Sequence, residues 1–314
     1  MKIGNIEFKN NIILAPMAGC TDVAFRSICV DFGASAGVTE MVSAKALKYD
    51  NEKTKDLLIT APNESVKIVQ IFGHESDIMS EICGSDILND FDIIDINMGC
   101  PAPKIVNNGD GSALMKNIPK AREIIEKCVA STSKPITVKF RSGFDEENIN
   151  AIEFAKMCES AGASAITIHA RTRNQMYGGH VDLDIVKKIK ESVSIPVIAS
   201  GDIVDLESYK HTINYTKCDG VMIGRGALGN PNIFSNILNE NETTFDKLST
   251  IKKHINLLRI YFSDRFIIGH IKKHILWYLK GEKNCSDVKV QVSYEPSLDK
   301  VIEILENFFK KRNN

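Results

Sequence analysis

The chain has 314 residues, of which 43% are hydrophobic and 25% are charged, as in an ordinary globular protein. No apolar run approaches the roughly eighteen residues that span a bilayer, and the N-terminus lacks the apolar segment of a secretory signal. Eight cysteines without a CxxC pair argue against a zinc ribbon, an iron–sulfur site or a redox disulfide. We therefore expect a cytoplasmic protein without a metal site or a membrane partner.

Short β-rich segments alternate with helical ones along most of the chain. Eight strands are predicted at Ile12–Ala15, Gly37–Thr39, Val66–Ile71, Asp92–Asn97, Ile136–Phe140, Ala165–His169, Pro196–Ala199 and Gly220–Ile223. Helices are predicted between them at Asp22–Phe32, Ser76–Leu88, Ile118–Ala130, Asn148–Ser160, Leu183–Ser192 and Leu206–Ile213. Eight such units predict an α/β fold, a parallel (β/α)8 TIM barrel. A doubly wound sheet alternates similarly, but no GxGxxG follows the first strand.

The strand pattern ends after Phe234, and a polar linker is predicted at residues 239–244. Helices are predicted beyond it at Lys247–Phe262, Arg265–Leu279 and Pro296–Lys311. We therefore divide the chain into a catalytic barrel domain, residues 1–240, and a small C-terminal all-α helical domain, residues 241–314. Residues 247–314 carry 14 Lys and Arg against 7 Asp and Glu. This basic balance predicts contact with a polyanion, with a solvated helix bundle as the alternative.

The segment Phe91–Pro101 predicts a buried strand that leads into a glycine turn presenting Cys100. Period-2 parity places Asp95 and Asn97 on the same face of this strand. In a parallel barrel, polar side chains at the carboxyl ends of strands form the active site. Glycine and proline flank the cysteine and fix its turn. A reactive thiol is predicted, and a buried inert cysteine is the alternative.

Cationic side chains end the next two predicted strands. Lys139 and Arg141 share one face of the fifth strand, and His169 and Arg171 share one face of the sixth. Burying such charges without a ligand would be costly, so an anionic or electron-rich ligand is implied. Salt bridges to Asp95 and other inward acids are the alternative.

The other strand ends provide small residues, an amide and glycine turns. A flat ring could approach the backbone at Ala15–Gly19, and the Gln70 amide can donate and accept. Glycine turns at Ser200–Asp202 and Gly224–Gly226 follow the last two strands, where this fold binds phosphate. These features favour flavin mononucleotide (FMN), with Lys139 beside its ring. An aldolase-like barrel that binds a phosphosugar through a Lys139 Schiff base stays open.

Several motifs then resemble the tRNA-dihydrouridine synthases, most closely their bacterial B-type branch. They are Ala15–Asp22, Asp95–Lys104, His169–Arg173, Ser200–Ile203, Gly220–Ala227 and, in the tail, His274–Gly281. The resemblance implies an FMN-dependent oxidoreductase that uses NADPH to reduce the C5=C6 bond of specific uridines in tRNA. The target base would leave its stack to reach the flavin, and the basic domain would hold tRNA phosphates. We expect the protein to act as a monomer.

Matching positions imply roles for individual residues. Cys100 would be the general acid that donates a proton to the uracil. The FMN contacts would be Pro16, Met17, Ala18, Gln70, Lys139, His169, Ser200, Gly201, Asp202, Gly224 and Arg225. The uracil contacts would be Asn97, Lys139, His169 and Arg171. The sequence departs from the usual pattern at Ala199-Ser200, Leu183, Asn232 and Asn107-Asn108, where Gly-Asn, Trp, Trp and basic residues are common.

Two other functions fit parts of the sequence. A free-pyrimidine dehydrogenase would also be an FMN barrel, although its small substrate would not require a basic helical domain. An RNA-binding protein could act on tRNA folding without turnover. A protein that only binds RNA would keep its cellular effect in the Cys100→Ala variant, whereas the enzyme would lose it. This variant therefore distinguishes the two functions.

Overall fold

The computed structural model describes residues 1–311, and its centre is a closed barrel of eight parallel strands. The strands are β1 (Lys2–Ile3), β2 (Ile6–Glu7), β3 (Ile12–Leu14), β4 (Ala36–Ser43), β5 (Lys67–Phe72), β6 (Ile93–Met98), β7 (Ile136–Gly143), β8 (Ala165–Thr172), β9 (Val197–Ser200) and β10 (Gly220–Ile223). β1 and β2 form an antiparallel hairpin. β3 to β10 follow one another around the barrel, which closes where β10 pairs with β3. The predicted (β/α)8 barrel is confirmed.

Helices cover the outside of the barrel and form the C-terminal region. They are α1 (Val23–Asp31), α2 (Ala44–Lys48), α3 (Glu52–Lys55), α4 (Ser76–Cys83), α5 (Pro103–Val106), α6 (Ile118–Ser131), α7 (Ala151–Ser160), α8 (Leu183–Ser192), α9 (Leu206–Thr216), α10 (Ile233–Leu238), α11 (Lys247–Tyr261), α12 (Asp264–Tyr278), α13 (Ser286–Tyr294) and α14 (Leu298–Lys310). Across residues 1–311, none of them is long and apolar enough to cross a bilayer.

The strands bury both faces, which explains their continuous apolar runs. Ile96 and Val138 point outward into the main core beneath the surrounding helices. At the amino-terminal end of the barrel, Ile13 and Met222 form an apolar layer with Ile3 of the hairpin. The hairpin and this layer therefore close that end of the barrel.

Three strands run three or four residues further toward the carboxyl end than the sequence predicts. β4, β7 and β8 continue to Ser43, Gly143 and Thr172, and the ladder register shifts in the middle of β4 and near the ends of β7 and β8. Arg141 and Arg171 are thereby held by strand backbone, which fixes their side chains more firmly than a loop would.

The C-terminal helices pack around a second apolar core, which includes Ile255 of α11, Ile271 of α12 and Val301 of α14. Ala24 of α1 belongs to the same core, so this bundle lies directly against the barrel. The side chain of Asn232 hydrogen-bonds the Thr243 carbonyl, at 2.5 Å, and so fixes the predicted linker. The predicted boundary at residue 240 stays a prediction. The predicted domain end at Asn314 and the basic residue Arg312 lie outside the described residues.

Candidate active site

A hydrogen-bonded polar network lies inside the barrel below its carboxyl-terminal mouth. Gln70 Nε2 and Thr137 Oγ1 donate to the two oxygens of Asp95, at 2.7 and 2.6 Å. Asn97 Nδ2 donates to Gln70 Oε1 at 2.8 Å. Burial raises the pKa of Asp95, and the hydrogen bonds from Gln70 and Thr137 oppose that rise. The network forms a fixed polar layer beneath the mouth.

The Cys100 loop is held by its neighbours on both sides. Asn97 Oδ1 accepts from the Cys100 N–H at 2.8 Å, and Ser112 Oγ donates to the Cys100 carbonyl at 2.9 Å. Burial raises the pKa of the Cys100 thiol, although a backbone N–H and nearby Arg141 oppose this. The thiol is therefore protonated at neutral pH, and it is partly exposed at the mouth.

Two further contacts that the sequence analysis missed support this loop. Gly111 has φ +60°, and an added Cβ there would lie 2.8 Å from the Cys100 carbonyl oxygen. His74 Nδ1 lies 2.8 Å from Asp110 Oδ1, so the residue before Gly111 is tied to the loop after β5. The glycine-rich segment at residues 107–111 was the available sequence signal, since it is typical of a tight turn.

Lys139 lies on the inner face of β7 at the mouth. Burial, and then the charge of Arg141, lower the pKa of Lys139 to about 8, while Asp95 acts in the opposite direction. Over residues 1–311, its ammonium forms neither a hydrogen bond nor an ion pair. The alternative of salt bridges to inward acids is therefore wrong for Lys139 and Asp95, whereas Arg171 does pair with Asp202. Lys139 is a cation that faces the mouth.

Arg141 connects two segments at the same mouth through hydrogen bonds. Its Nε donates to the Gly99 carbonyl at 2.9 Å, and its Nη1 donates to the Thr172 carbonyl at 2.9 Å. The side chain thus ties the Cys100 loop to the end of β8.

His169 is an inward-facing residue of β8. Its imidazole is neutral at physiological pH, because burial and the nearby cations Lys139 and Arg141 lower its pKa to about 2.

The Arg171 guanidinium is buried and bonded to protein groups. Its Nη2 donates to both oxygens of Asp202, at 2.8 and 2.7 Å, and its Nε donates to the Gly178 carbonyl at 2.9 Å. Although burial opposes it, Arg171 lowers the pKa of Asp202. The predicted contact of Arg171 with a substrate stays a prediction, and its bonds show that it positions Asp202.

The predicted phosphate turns lie beside each other at the last two strands. Gly201 has φ +113°, and an added Cβ would lie 2.5 Å from Val181 Cγ1, so glycine is required there. A Cβ on Gly224 would lie 3.5 Å from Met17 Sδ, which brings the Pro16–Ala18 loop against this turn. Arg225 is half exposed and lies over the ring of Tyr177, 5.1 Å from its centroid.

Tyr177 is a residue of the mouth that the sequence analysis missed. The Arg141 guanidinium also lies over its ring, at 5.6 Å, so one aromatic side chain is flanked by two arginines. The sequence feature that could have indicated Tyr177 is an aromatic residue directly before a Gly-Gly pair in the loop after β8. With it, the predicted site residues from Pro16 to Arg225 all lie at carboxyl ends of barrel strands. Their binding and catalytic roles stay predictions.

Comparison with known proteins identifies the family. The dihydrouridine synthase (Dus) family profile matches residues 13–312. The chain is 38% identical to tRNA-dihydrouridine synthase B of Vibrio parahaemolyticus, over 98% of each chain. It is 38% identical to a probable tRNA-dihydrouridine synthase of Rickettsia conorii, over 93% of this chain and 91% of that one.

The solved structures that resemble this one share its fold. They include a variant of NCR from Zymomonas mobilis, with a TM-score of 0.57, 14% identity and coverage of 80% of this chain and 93% of that chain. Histamine dehydrogenase from Rhizobium sp. 4-9 has a TM-score of 0.61 and 13% identity, over 82% of this chain and 50% of that one. Barrel, site and relatives together define the class of protein, a (β/α)8-barrel oxidoreductase. The chain belongs to the dihydrouridine synthase family, as its motifs predicted.

Proposed function

We propose that this protein reduces the C5=C6 bond of uridines in tRNA, with FMN at the barrel mouth and NADPH as the reductant. Bound FMN supplies the hydride in this chemistry. The proposal rests mainly on one observation: Cys100 is a protonated thiol on a loop that hydrogen bonds hold in place. Both Cys100 and the cation Lys139 face the mouth.

The residues at the mouth suit a phosphorylated flat cofactor. Lys139 has no hydrogen-bond or ion-pair partner among the described residues, and it offers a cation to an electron-rich ring edge. The adjoining turns at Gly201 and Gly224, together with Arg225, offer N–H groups and a guanidinium to a phosphate. The Pro16–Ala18 loop lies beside these turns, with Met17 against Gly224. Gln70, His169, Ser200 and Asp202 complete the proposed FMN contacts.

Cys100 is the proposed proton donor to uracil C5. Because its pKa is raised, the Cys100 thiol keeps its proton at neutral pH until that proton is transferred to the substrate. Arg141 and Lys139 favour the thiolate that remains, because both are cations close to the sulfur. Asn97 holds the Cys100 backbone, so the loop is oriented before the substrate arrives. Asn97, His169, Lys139 and Arg171 would surround the base.

The tRNA contact is proposed for the basic C-terminal helices. Lys273 of α12 reaches the mouth, since its Nζ would lie 3.2 Å from a Cβ on Gly19. A uracil in a tRNA loop can leave its stack at lower cost than one in a duplex. Phosphates on either side of that loop would then meet the cations of α12.

The test is mass spectrometry of tRNA that lacks dihydrouridine, after incubation with the protein, FMN and NADPH. We expect a gain of about 2 Da on a uridine, and a loss of about 10²–10⁴-fold in rate for Cys100→Ala. Cys285→Ala, a buried cysteine of the helical bundle, is the control that should keep the activity. Full activity in Cys100→Ala would exclude the proton-donor role. No mass gain from a flavin-loaded protein that oxidises NADPH would favour binding of tRNA without turnover.

A further inference from the structure

A second polar cluster lies where the barrel meets the helical bundle. Asp22 precedes α1 and accepts a hydrogen bond from the Phe25 N–H at 2.9 Å, so it caps that helix. His254 of α11 and His274 of α12 face it and are fully buried. The cluster therefore joins the start of α1 to two consecutive helices of the bundle that are distant from it along the chain.

The ligand atoms of this cluster converge on one point. Asp22 Oδ1 lies 3.5 Å from His254 Nε2, and Asp22 Oδ2 lies 3.6 Å from His274 Nε2. One ligand atom from each residue lies within 4.8 Å of the other two. The two distances from Asp22 to the histidines are long for hydrogen bonds. They are close to the roughly 3.3 Å between neighbouring ligands of a tetrahedral zinc ion, whose bonds are about 2.0–2.1 Å long.

Most of the buried polar atoms of the cluster have no hydrogen-bond partner among residues 1–311. Neither ring nitrogen of His254 or of His274 forms a hydrogen bond with residues 1–311, and the same holds for Asp22 Oδ2. Buried polar groups in proteins are normally satisfied, so such a concentration points to a ligand. We propose that Asp22, His254 and His274 bind a divalent transition-metal ion of the zinc class, which fastens α11 and α12 to the barrel.

The chemistry of the donor set supports a zinc-class ion. Two neutral imidazoles and one carboxylate are common zinc ligands, and a water can complete the tetrahedron. The net charge of the three ligands, −1, partly neutralises a dication in a buried place. Tyr278 packs edge-on against His254 at 6.3 Å, and its buried hydroxyl also lacks a partner among the described residues. That hydroxyl can hydrogen-bond a group in the second coordination sphere, as second-sphere partners of zinc sites do.

The proposal contradicts the sequence-based expectation that the protein has no metal site. That expectation rested on the missing CxxC pairs. The three residues here lie at positions 22, 254 and 274 and therefore have no local spacing that marks a metal site. The cluster belongs to the junction between barrel and bundle, and it stands whether or not the proposed reaction on tRNA is correct.

The test uses the full-length, FMN-loaded protein without an affinity tag. The protein is stripped with a chelator and titrated with ZnCl₂ against a chromophoric indicator. We expect about one tightly bound Zn²⁺ per chain and a higher melting temperature with Zn²⁺. With Co²⁺, the visible spectrum should show tetrahedral coordination without a thiolate charge-transfer band, which excludes Cys100 as the ligand.

The decisive variant is Asp22→Asn, because asparagine caps a helix about as well as aspartate. Loss of an outer-sphere partner alone weakens metal binding by about 10–100-fold. Asp22→Asn and His274→Asn should therefore weaken Zn²⁺ binding by about 100-fold or more. His211→Asn, an exposed histidine stacked on Tyr215, is the matched control and should bind Zn²⁺ normally. Absence of tight binding in the wild-type protein, or tight binding that survives in Asp22→Asn, would overturn the proposal.

Discussion

Lys139 and Cys100 show how one environment sets two charge states. Burial favours the neutral form of any ionisable group. It lowers the pKa of the Lys139 ammonium to about 8 and raises that of the Cys100 thiol. Near neutral pH, Lys139 is therefore a cation and Cys100 is a protonated thiol. The lysine loses its charge first as the pH rises.

The first prediction concerns the affinity of the flavin-free protein for FMN. An anionic ligand prefers charged Lys139, so affinity should be greatest below pH 8 and should fall by up to about tenfold per pH unit above it. Fluorescence titration of FMN between pH 6.5 and 9.5, at constant ionic strength, measures this.

Lys139→Arg is the matched control for this pH dependence. Arginine keeps its charge throughout that range, so the fall above pH 8 should disappear even if the affinity itself changes. An equal fall in both proteins would assign the titration to another group.

At the residue scale, strand parity was the most informative sequence signal. It placed Asp95 and Asn97 on one face and Lys139 on the inner face of its strand, as the structure shows. Parity could not predict the partners of those side chains. The bonds from Arg171 to Asp202 and from Asn97 to the Cys100 loop depend on neighbours brought close by the closed barrel.

Among the elements, the turn at Gly111 bears most directly on the Cys100 loop. Gly111→Ala would place a methyl group 2.8 Å from the Cys100 carbonyl, in a backbone conformation that costs L-residues about 1–2 kcal/mol. We expect a lower melting temperature and a loss of turnover, because Cys100 must move. Thermal unfolding and the tRNA assay measure the two effects.

Gly281→Ala provides the matched control. Gly281 also has a positive φ, +81°, but an added Cβ would meet no atom of residues 1–311 within 4 Å. It should lose similar stability and keep its turnover. If both variants kept turnover, the position of Cys100 would not depend on this turn.

The sequence predicted most long elements because their hydrophobic periods matched their environment. β10 and α8 have the predicted bounds. Helix α13 was missed because Val288, Val290 and Val292 alternate with polar residues, a pattern typical of a strand. Val292 is fully buried whereas Val290 is 57% exposed, so packing against the bundle decided its structure.

Over the whole molecule, an acidic barrel carries a basic helical region. Lys273 lies where that region meets the mouth. Lys273→Glu should weaken tRNA binding and reduce the slope of log affinity against log salt by about one, if the lysine meets one phosphate. Filter binding over a salt series measures this, and FMN binding should be unchanged.

Lys217→Glu is the control for this charge reversal. Lys217 is exposed after α9, at the opposite end of the barrel. It should leave both tRNA affinity and the salt slope unaltered. A similar loss in both variants would mean that net charge alone, and not the mouth, governs binding. The sequence predicted the basic region from its count of charges, but it could not predict which lysine meets the barrel.

The hairpin at the amino-terminal end has a kinetic consequence. Because β1, β2 and the apolar layer above them close that end, both proposed reactants must enter and leave through the opposite mouth. A folded tRNA bound there would block the access of a nicotinamide dinucleotide to the flavin. Reduction of the flavin and reduction of the uridine should therefore occur in alternating steps, with one reactant bound at a time. Steady-state rates should then give parallel double-reciprocal lines, and excess tRNA should inhibit competitively against NADPH. Intersecting lines would mean that both reactants occupy the mouth together.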